Sequence, residues 1–344
     1  MRTQGLARLR GWGGAAAMAV ACALTGSLVL ALPEAGGAAG ADESAGRTAE
    51  GSAQGAAQES TEAAPARAEE CTTPEQSLSP ADKDGPTIDA IRDREVKKLI
   101  VGVDQNSYRW GYRDPNKKTA TLEGFDIDLA HKIAEEILGD RDAVLFRAIP
   151  TNQRVKAIQS GQVDMVVRTM TITCDREKEV SFSTAYFKTG QQVLAPKSSD
   201  ITGFDESLDG KKVCSAKGST ALTKLEELKK KGLGADIGTT VPNQLDCLVR
   251  LQLGEVDAVV TDSALAASQA AQDPTIELKG DAPLNTEYYG VAMKKPEKGE
   301  DDLVRRVNKV LEDYRESGWQ KSYDKWLKAA LGDSAGPPAP KYED

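Results

Sequence analysis

Histidine is nearly absent from this chain. Among its 344 residues there is one, His131. A Ser-His-Asp arrangement would have to use that position, and a zinc site built on several imidazoles is excluded. His131 falls in a helical stretch at 126–138, between Ala130 and Lys132, and reads as a solvated or half-buried helix residue. The P-loop, HExxH and CxxC patterns are also missing. Aromatic residues are scarce, with five Phe, four Trp and eight Tyr, and the formal net charge is −9. Nucleic acid is bound through basic patches and stacking platforms, so it is not an expected partner. No cofactor and no metal are expected, because the sequence offers no ligand set for either.

What is present begins with a targeting segment. Arg2, Arg8 and Arg10 precede an apolar run from Ala15 to Leu32, followed by Pro33 and small residues. This is the layout of an export signal over residues 1–41. Cleavage near Ala39-Gly40-Ala41 is the first expectation. Lipidation of Cys22, after Ala19-Val20-Ala21, is the second, and an uncleaved anchor the third, since the run nearly spans a bilayer. The expected location is extracytoplasmic, in the cell envelope or secreted. Residues 42–70 hold almost no large apolar side chains and should form a disordered tether, with 71–86 as a lead-in.

One phrase is written twice. Residues 158–167 read Ile-Gln-Ser-Gly-Gln-Val-Asp-Met-Val-Val, and residues 251–260 read Leu-Gln-Leu-Gly-Glu-Val-Asp-Ala-Val-Val. Each is a helix end, a glycine stop and a short apolar strand. Two such units predict two similar lobes. The chain is therefore expected to be α/β, each lobe a mixed, mostly parallel sheet flanked by helices. Residues 87–192 and 287–331 form lobe 1, and residues 193–286 form lobe 2. Two extended segments, Gln191–Pro196 outward and Tyr288–Met293 back, are expected to cross between them as a hinge. Apolar stripes at Leu303, Val307, Val310, Leu311 and Tyr314, and at Trp319, Tyr323 and Trp326, predict helices that return to lobe 1. Residues 332–344, rich in Pro and Gly, are expected to be loose. Export permits disulfides. Four cysteines besides Cys22 allow three pairings. Cys214 and Cys247 both fall in lobe 2 and are paired on that ground, which leaves Cys71 with Cys174.

Polar residues follow both repeated strands, where ligands bind in open α/β sheets. Gly218-Ser219-Thr220 turns a strand into a helix, and helix starts favour anions. Arg176 carries a planar fork of donors suited to a carboxylate. Asp262, after the second repeated strand, could take an ammonium group. Each has a plain structural alternative: an N-cap for Ser219 or Asp262, a surface ion pair for Arg176. Together they suit a zwitterion, the backbone of an amino acid.

Several segments carry a family resemblance: Gly124-Phe125-Asp126-Ile127-Asp128-Leu129-Ala130, Met170-Thr171-Ile172-Thr173 through Arg176, Val180-Ser181-Phe182-Ser183 with Tyr186, and Lys217-Gly218-Ser219-Thr220. In this order they resemble the family 3 extracellular solute-binding proteins of ABC amino-acid uptake systems. The match covers about 98–328. The chain looks particularly similar to the actinobacterial glutamine/glutamate-binding proteins, including the placement of the four cysteines and the tail Pro337-Pro338-Ala339-Pro340-Lys341-Tyr342. The resemblance implies a type II periplasmic-binding-protein clamshell around a polar L-amino acid. Arg176 would hold the α-carboxylate, with Thr171 and the backbone of Ser219 and Thr220. Asp262 would take the ammonium, shared with the carbonyl of Thr169. Arg154 matches an arginine that acidic-amino-acid binders place on the distal carboxylate. Asp104 matches an aspartate that glutamine binders place on the side-chain amide. Arg168 either joins them or points into the other face of its sheet, and Trp110 occupies a place where an aromatic covers the ligand. The acidic ligand, glutamate or aspartate, is favoured over glutamine and asparagine.

The membrane partner implied is an ABC permease or, as the alternative, a membrane signalling protein. A monomer is expected. A dehydratase on the same scaffold is the competing class. Acid-base chemistry needs a poised carboxylate or histidine beside the reacting carbon. Asp104 is the only candidate, so binding is preferred to catalysis.

Overall fold

In a computed structural model of the chain, residues 71–119 and 121–343 are described. The expected export signal, Cys22 and the tether lie outside them. Two five-stranded sheets organise the molecule. In lobe 1 the order is Val144–Ala148, Leu99–Val103, Met165–Val166, Ala292–Met293, Ser181–Phe182. In lobe 2 it is Asp236–Val241, Lys212–Ala216, Ala258–Asp262, Gln191–Pro196, Ile276–Lys279. One strand of each sheet runs against the rest, Ala292–Met293 in the first and Gln191–Pro196 in the second. Both repeated phrases end in the middle strand of their sheet. Their glycines, Gly161 (φ 66°) and Gly254 (φ 69°), take the left-handed conformation that stops the preceding helix.

The crossings differ from expectation. The strands that join the lobes are Phe187–Thr189 and Glu287–Tyr289, which pair antiparallel as a two-stranded ribbon. Gln191–Pro196 belongs to the interior of the second sheet, where Val193, Leu194 and Ala195 are buried. Likewise Ala292–Met293 is already inside the first. Each ribbon strand thus leads into the reversed strand of the lobe it enters.

Lobe 1 is built on the helix Phe125–Leu138. It buries Phe125, Ile127, Leu129, Ala130, Ile133, Ala134 and Ile137 along one side and ends at left-handed Gly139. The helices Asp302–Ser317 and Trp319–Trp326 return to cover it. Leu303, Val307, Val310, Leu311 and Tyr314 join the same core, and the rings of Trp319 and Tyr323 stack at 5.1 Å.

Both pairs of cysteines form disulfides, Cys71 with Cys174 and Cys214 with Cys247. The segment from 332, expected to be loose, instead ends in a strand, Tyr342–Glu343, parallel to Ser77–Leu78. Asn308 fastens this strap from beneath. Its amide nitrogen donates to Ser77 Oγ (2.9 Å) and the Leu78 carbonyl (2.6 Å), and its oxygen accepts from Thr184 N–H. Pro and Gly composition signals a lack of local structure, but here the order comes from a strand partner at the other end of the chain. No helix among the described residues is long and apolar enough to cross a membrane.

Candidate functional site

The carboxyl ends of the two middle strands face one another, and the lobes touch around them. Thr151 of lobe 1 donates its N–H to the Pro242 carbonyl (3.1 Å) and its hydroxyl to Gln244 Oε1 (2.8 Å). Gly218 lies against Asn152. A Cβ at 218 would stand 3.1 Å from the Asn152 Cα, and φ is 72°, so glycine is what permits this approach. The cleft is closed.

Three guanidinium groups converge there. Arg176 is carried on the four-residue helix Cys174–Glu177, capped by Thr173, whose Oγ accepts from Arg176 N–H. Its side chain donates to the Thr171 carbonyl of lobe 1 and to the Gly218 carbonyl of lobe 2 (2.9 Å). Arg154, 3% exposed, donates to the carbonyls of Thr151 (3.0 Å), Arg168 (3.3 Å), Thr169 (3.4 Å) and Gly218 (3.3 Å). Burial, and then the like charges of Arg176 and Arg168, push Arg154 well below the ordinary arginine range. Arg168, 1% exposed, points into the cleft and not away from it. Its Nη2 donates to Asp104 (2.6 Å) and, across the cleft, to Asn243 Oδ1 (3.2 Å). Its Nε and Nη1 are buried without a protein partner.

The carboxylates are committed unevenly. Asp104 accepts from Arg168, from the N–H groups of Gln105 and Asn106, and from Ser107 Oγ. That leaves it little capacity to read an amide, the role its position suggested. Asp262 accepts from Gln191 Nε2 (2.7 Å) and from the Tyr289 hydroxyl. Burial, and then the neighbouring Glu287, raise it to about 7. Asp126 accepts from the Tyr186 hydroxyl (2.9 Å) and from Thr169 N–H (2.9 Å). Thr169 has φ 40°, a strained choice for a β-branched residue. Asp126 grips its N–H, while its carbonyl meets Arg154. Backbone strain held this way clusters at functional sites.

Of the residues singled out from sequence, the structure brings Arg154, Thr169, Thr171, Arg176, Gly218, Ser219, Thr220 and Asp262 together, with Asp104 behind Arg168. Ser219 serves its own helix: its Oγ accepts from Leu222 N–H and donates to Ala216, and its N–H also bonds Ala216. Trp110 departs from expectation. Its indole is fully buried between Phe125, Phe187 and Tyr289, and its N–H reaches Ser268 Oγ of lobe 2 (3.1 Å). With its faces packed on protein and its one donor used, it wedges the lobes together and forms no roof. Sequence reasoning passed over Gln191, Tyr289, Asp126 and Glu287. Only Asp126, in the Gly-Phe-Asp run, carried a signal that could have been followed. Among the described residues no group of three or more His, Cys, Asp or Glu is placed to hold a metal ion.

Three comparisons bear on this geometry. The profile of the bacterial extracellular solute-binding proteins, family 3, matches residues 99–329. The ABC transporter glutamine-binding protein of Bacillus subtilis is 34% identical over 243 residues, 70% of this chain and 85% of its own length. A glutamate-binding protein of Corynebacterium efficiens is 29% identical over 70% of this chain and 81% of its own. Among solved structures, an ancestral arginine-binding protein bound to glutamine superposes with a TM-score of 0.59. It is 35% identical, over 69% of this chain and 98% of that one.

Proposed function

We propose, because the chain belongs to family 3 of the bacterial extracellular solute-binding proteins, that it closes outside the cytoplasm on one polar L-amino acid. Glutamate or aspartate is favoured over glutamine or asparagine, for delivery to an ABC permease. In this reading Arg176 holds the α-carboxylate. Asp262 and the Thr169 carbonyl hold the ammonium, and Arg154 and Arg168 face the side-chain carboxylate. Thr171, Gly218 and Thr220 frame the α-carboxylate end. The observation that supports the acidic ligand is the guanidinium surplus. Three arginines converge, and only Arg168 has a carboxylate at hydrogen-bond distance. Arg154 and Arg176 meet neutral carbonyls, and Arg168 keeps Nε and Nη1 buried without an acceptor, at a cost of about 1–3 kcal/mol each. A ligand carboxylate would supply acceptors and charge together.

Calorimetry of the protein against the common amino acids tests this. Glutamate or aspartate should bind tightest; a preference for arginine or for an apolar amino acid would overturn the reading. Arg154→Gln should weaken glutamate about tenfold more than glutamine, since a lost charge partner matters only to the charged side chain. Equal losses would remove Arg154 from side-chain reading.

Asp262 also gives the binding a pH dependence. Its acid is raised to about 7, and only the ionised form attracts an ammonium group. Affinity should therefore fall as pH drops through 7. Stability of the ligand-free protein should move the other way. A carboxylate raised by folding binds protons more tightly in the folded state than in the unfolded one. Acidification from 8 to 6 therefore stabilises the fold through this group, and through Asp126, also raised to about 7 by burial. Titration calorimetry and thermal unfolding at three pH values should show opposite slopes. Parallel slopes would mean that Asp262 does not meet the ammonium.

A further inference from the structure

Glu287 is a buried acid, 8% exposed, on the return strand of the hinge ribbon. One oxygen, Oε2, accepts from the Thr171 hydroxyl of lobe 1 (2.9 Å) and from the Thr220 hydroxyl at the first turn of the lobe 2 helix (2.8 Å). The other, Oε1, accepts from Asn285 Nδ2 (3.0 Å). A hydroxyl has one proton to donate. Both threonines have given theirs to Glu287, so neither remains a donor for a ligand carboxylate. The carboxylate has no ion pair at bonding distance among the described residues, unlike Asp104. Its charge is felt by both Asp262 and Arg176, the two groups assigned to the ends of a zwitterion.

We propose that Glu287 is a specificity-determining residue whose negative charge, held between Thr171 and Thr220, limits how strongly the closed cleft prefers an anionic side chain over its amide. The inference rests on the reading of this cleft as a site for a polar amino acid. Arg154 and Arg168 draw a side-chain carboxylate in, and Glu287 opposes it from the α-carboxylate end. A glutamine side chain feels the same hydrogen-bonding groups and none of that repulsion. At an effective dielectric of about 20, a unit charge about 10 Å away changes affinity by roughly tenfold. Glu287 thus reads the ligand's total charge and touches none of its side chain.

Glu287→Gln tests this with no change of shape. The ratio of glutamate to glutamine affinity, measured by calorimetry, should rise about tenfold in favour of glutamate. Glu287→Asp keeps the charge and should leave the ratio within about twofold of the original. Thermal unfolding of both variants verifies that each is folded. An unchanged ratio in Glu287→Gln, or a shift in Glu287→Asp as large as in Glu287→Gln, would overturn the proposal. Original protein that binds neither amino acid would instead overturn the ligand reading, and this inference with it.

Discussion

Replacing Arg176 by alanine should lower affinity for the amino acid by about a hundredfold or more, on the order of 3 kcal/mol. Two effects add. The ligand's α-carboxylate would lose its charged partner and stay buried, which costs more than an exposed ion pair ever contributes. The guanidinium also donates to a carbonyl on each lobe, Thr171 and Gly218, so its removal loosens the closed state itself. Arg176→Lys keeps the charge without the planar fork and should fall between the two. Calorimetry decides it: a loss below about fivefold in the alanine variant would mean that the carboxylate lies elsewhere.

Removing the Cys71–Cys174 disulfide should be the most damaging change to stability. Its cysteines are 103 residues apart, and loop-closure entropy assigns such a crosslink about 4–5 kcal/mol. The Cys214–Cys247 bond spans 33 residues, for about 3–4 kcal/mol. The two should differ more sharply in binding. Cys174 opens the helix that carries Arg176, and that helix has four residues, far too few to hold itself together. The Cys71→Ala/Cys174→Ala variant should thus lose both stability and roughly tenfold in affinity, as Arg176 is freed from its place. The Cys214→Ala/Cys247→Ala variant should unfold at a lower temperature and keep its affinity, because that bond lies within the core of lobe 2. Scanning calorimetry and ligand titration on both variants separate these outcomes. Unchanged binding in the first would mean that the Thr173 cap and the Thr171 and Gly218 carbonyls hold Arg176 in place without the disulfide.

Much of this was readable from the chain. The doubled phrase located the two middle strands and their left-handed glycines, because the signals for a helix stop and a buried strand are local. The amphipathic stripes placed the returning helices for the same reason. What failed was long-range. An extended segment near a lobe boundary, such as Gln191–Pro196, looks the same in sequence whether it crosses as a hinge or joins a sheet. Only the pairing of Phe187–Thr189 with Glu287–Tyr289 distinguishes the two. Glu287 left no trace in sequence. It lies 116 residues from Thr171 and 67 from Thr220, and no local pattern records that the three meet. Trp110 erred differently: a position that suits a ligand cover also suits a core anchor, and burial among three rings decides between them.

The strap of Ser77–Leu78 against Tyr342–Glu343 has a practical corollary for anyone wishing to watch this molecule work. Both of its strands ride on one rigid half. A pair of dyes placed beside these two strands would hold a constant separation however far the halves swing, and would report silence as if nothing moved. Surface positions on opposite halves, such as Val96 (55% exposed) and Leu253 (68% exposed), would register each swing as a change in energy transfer.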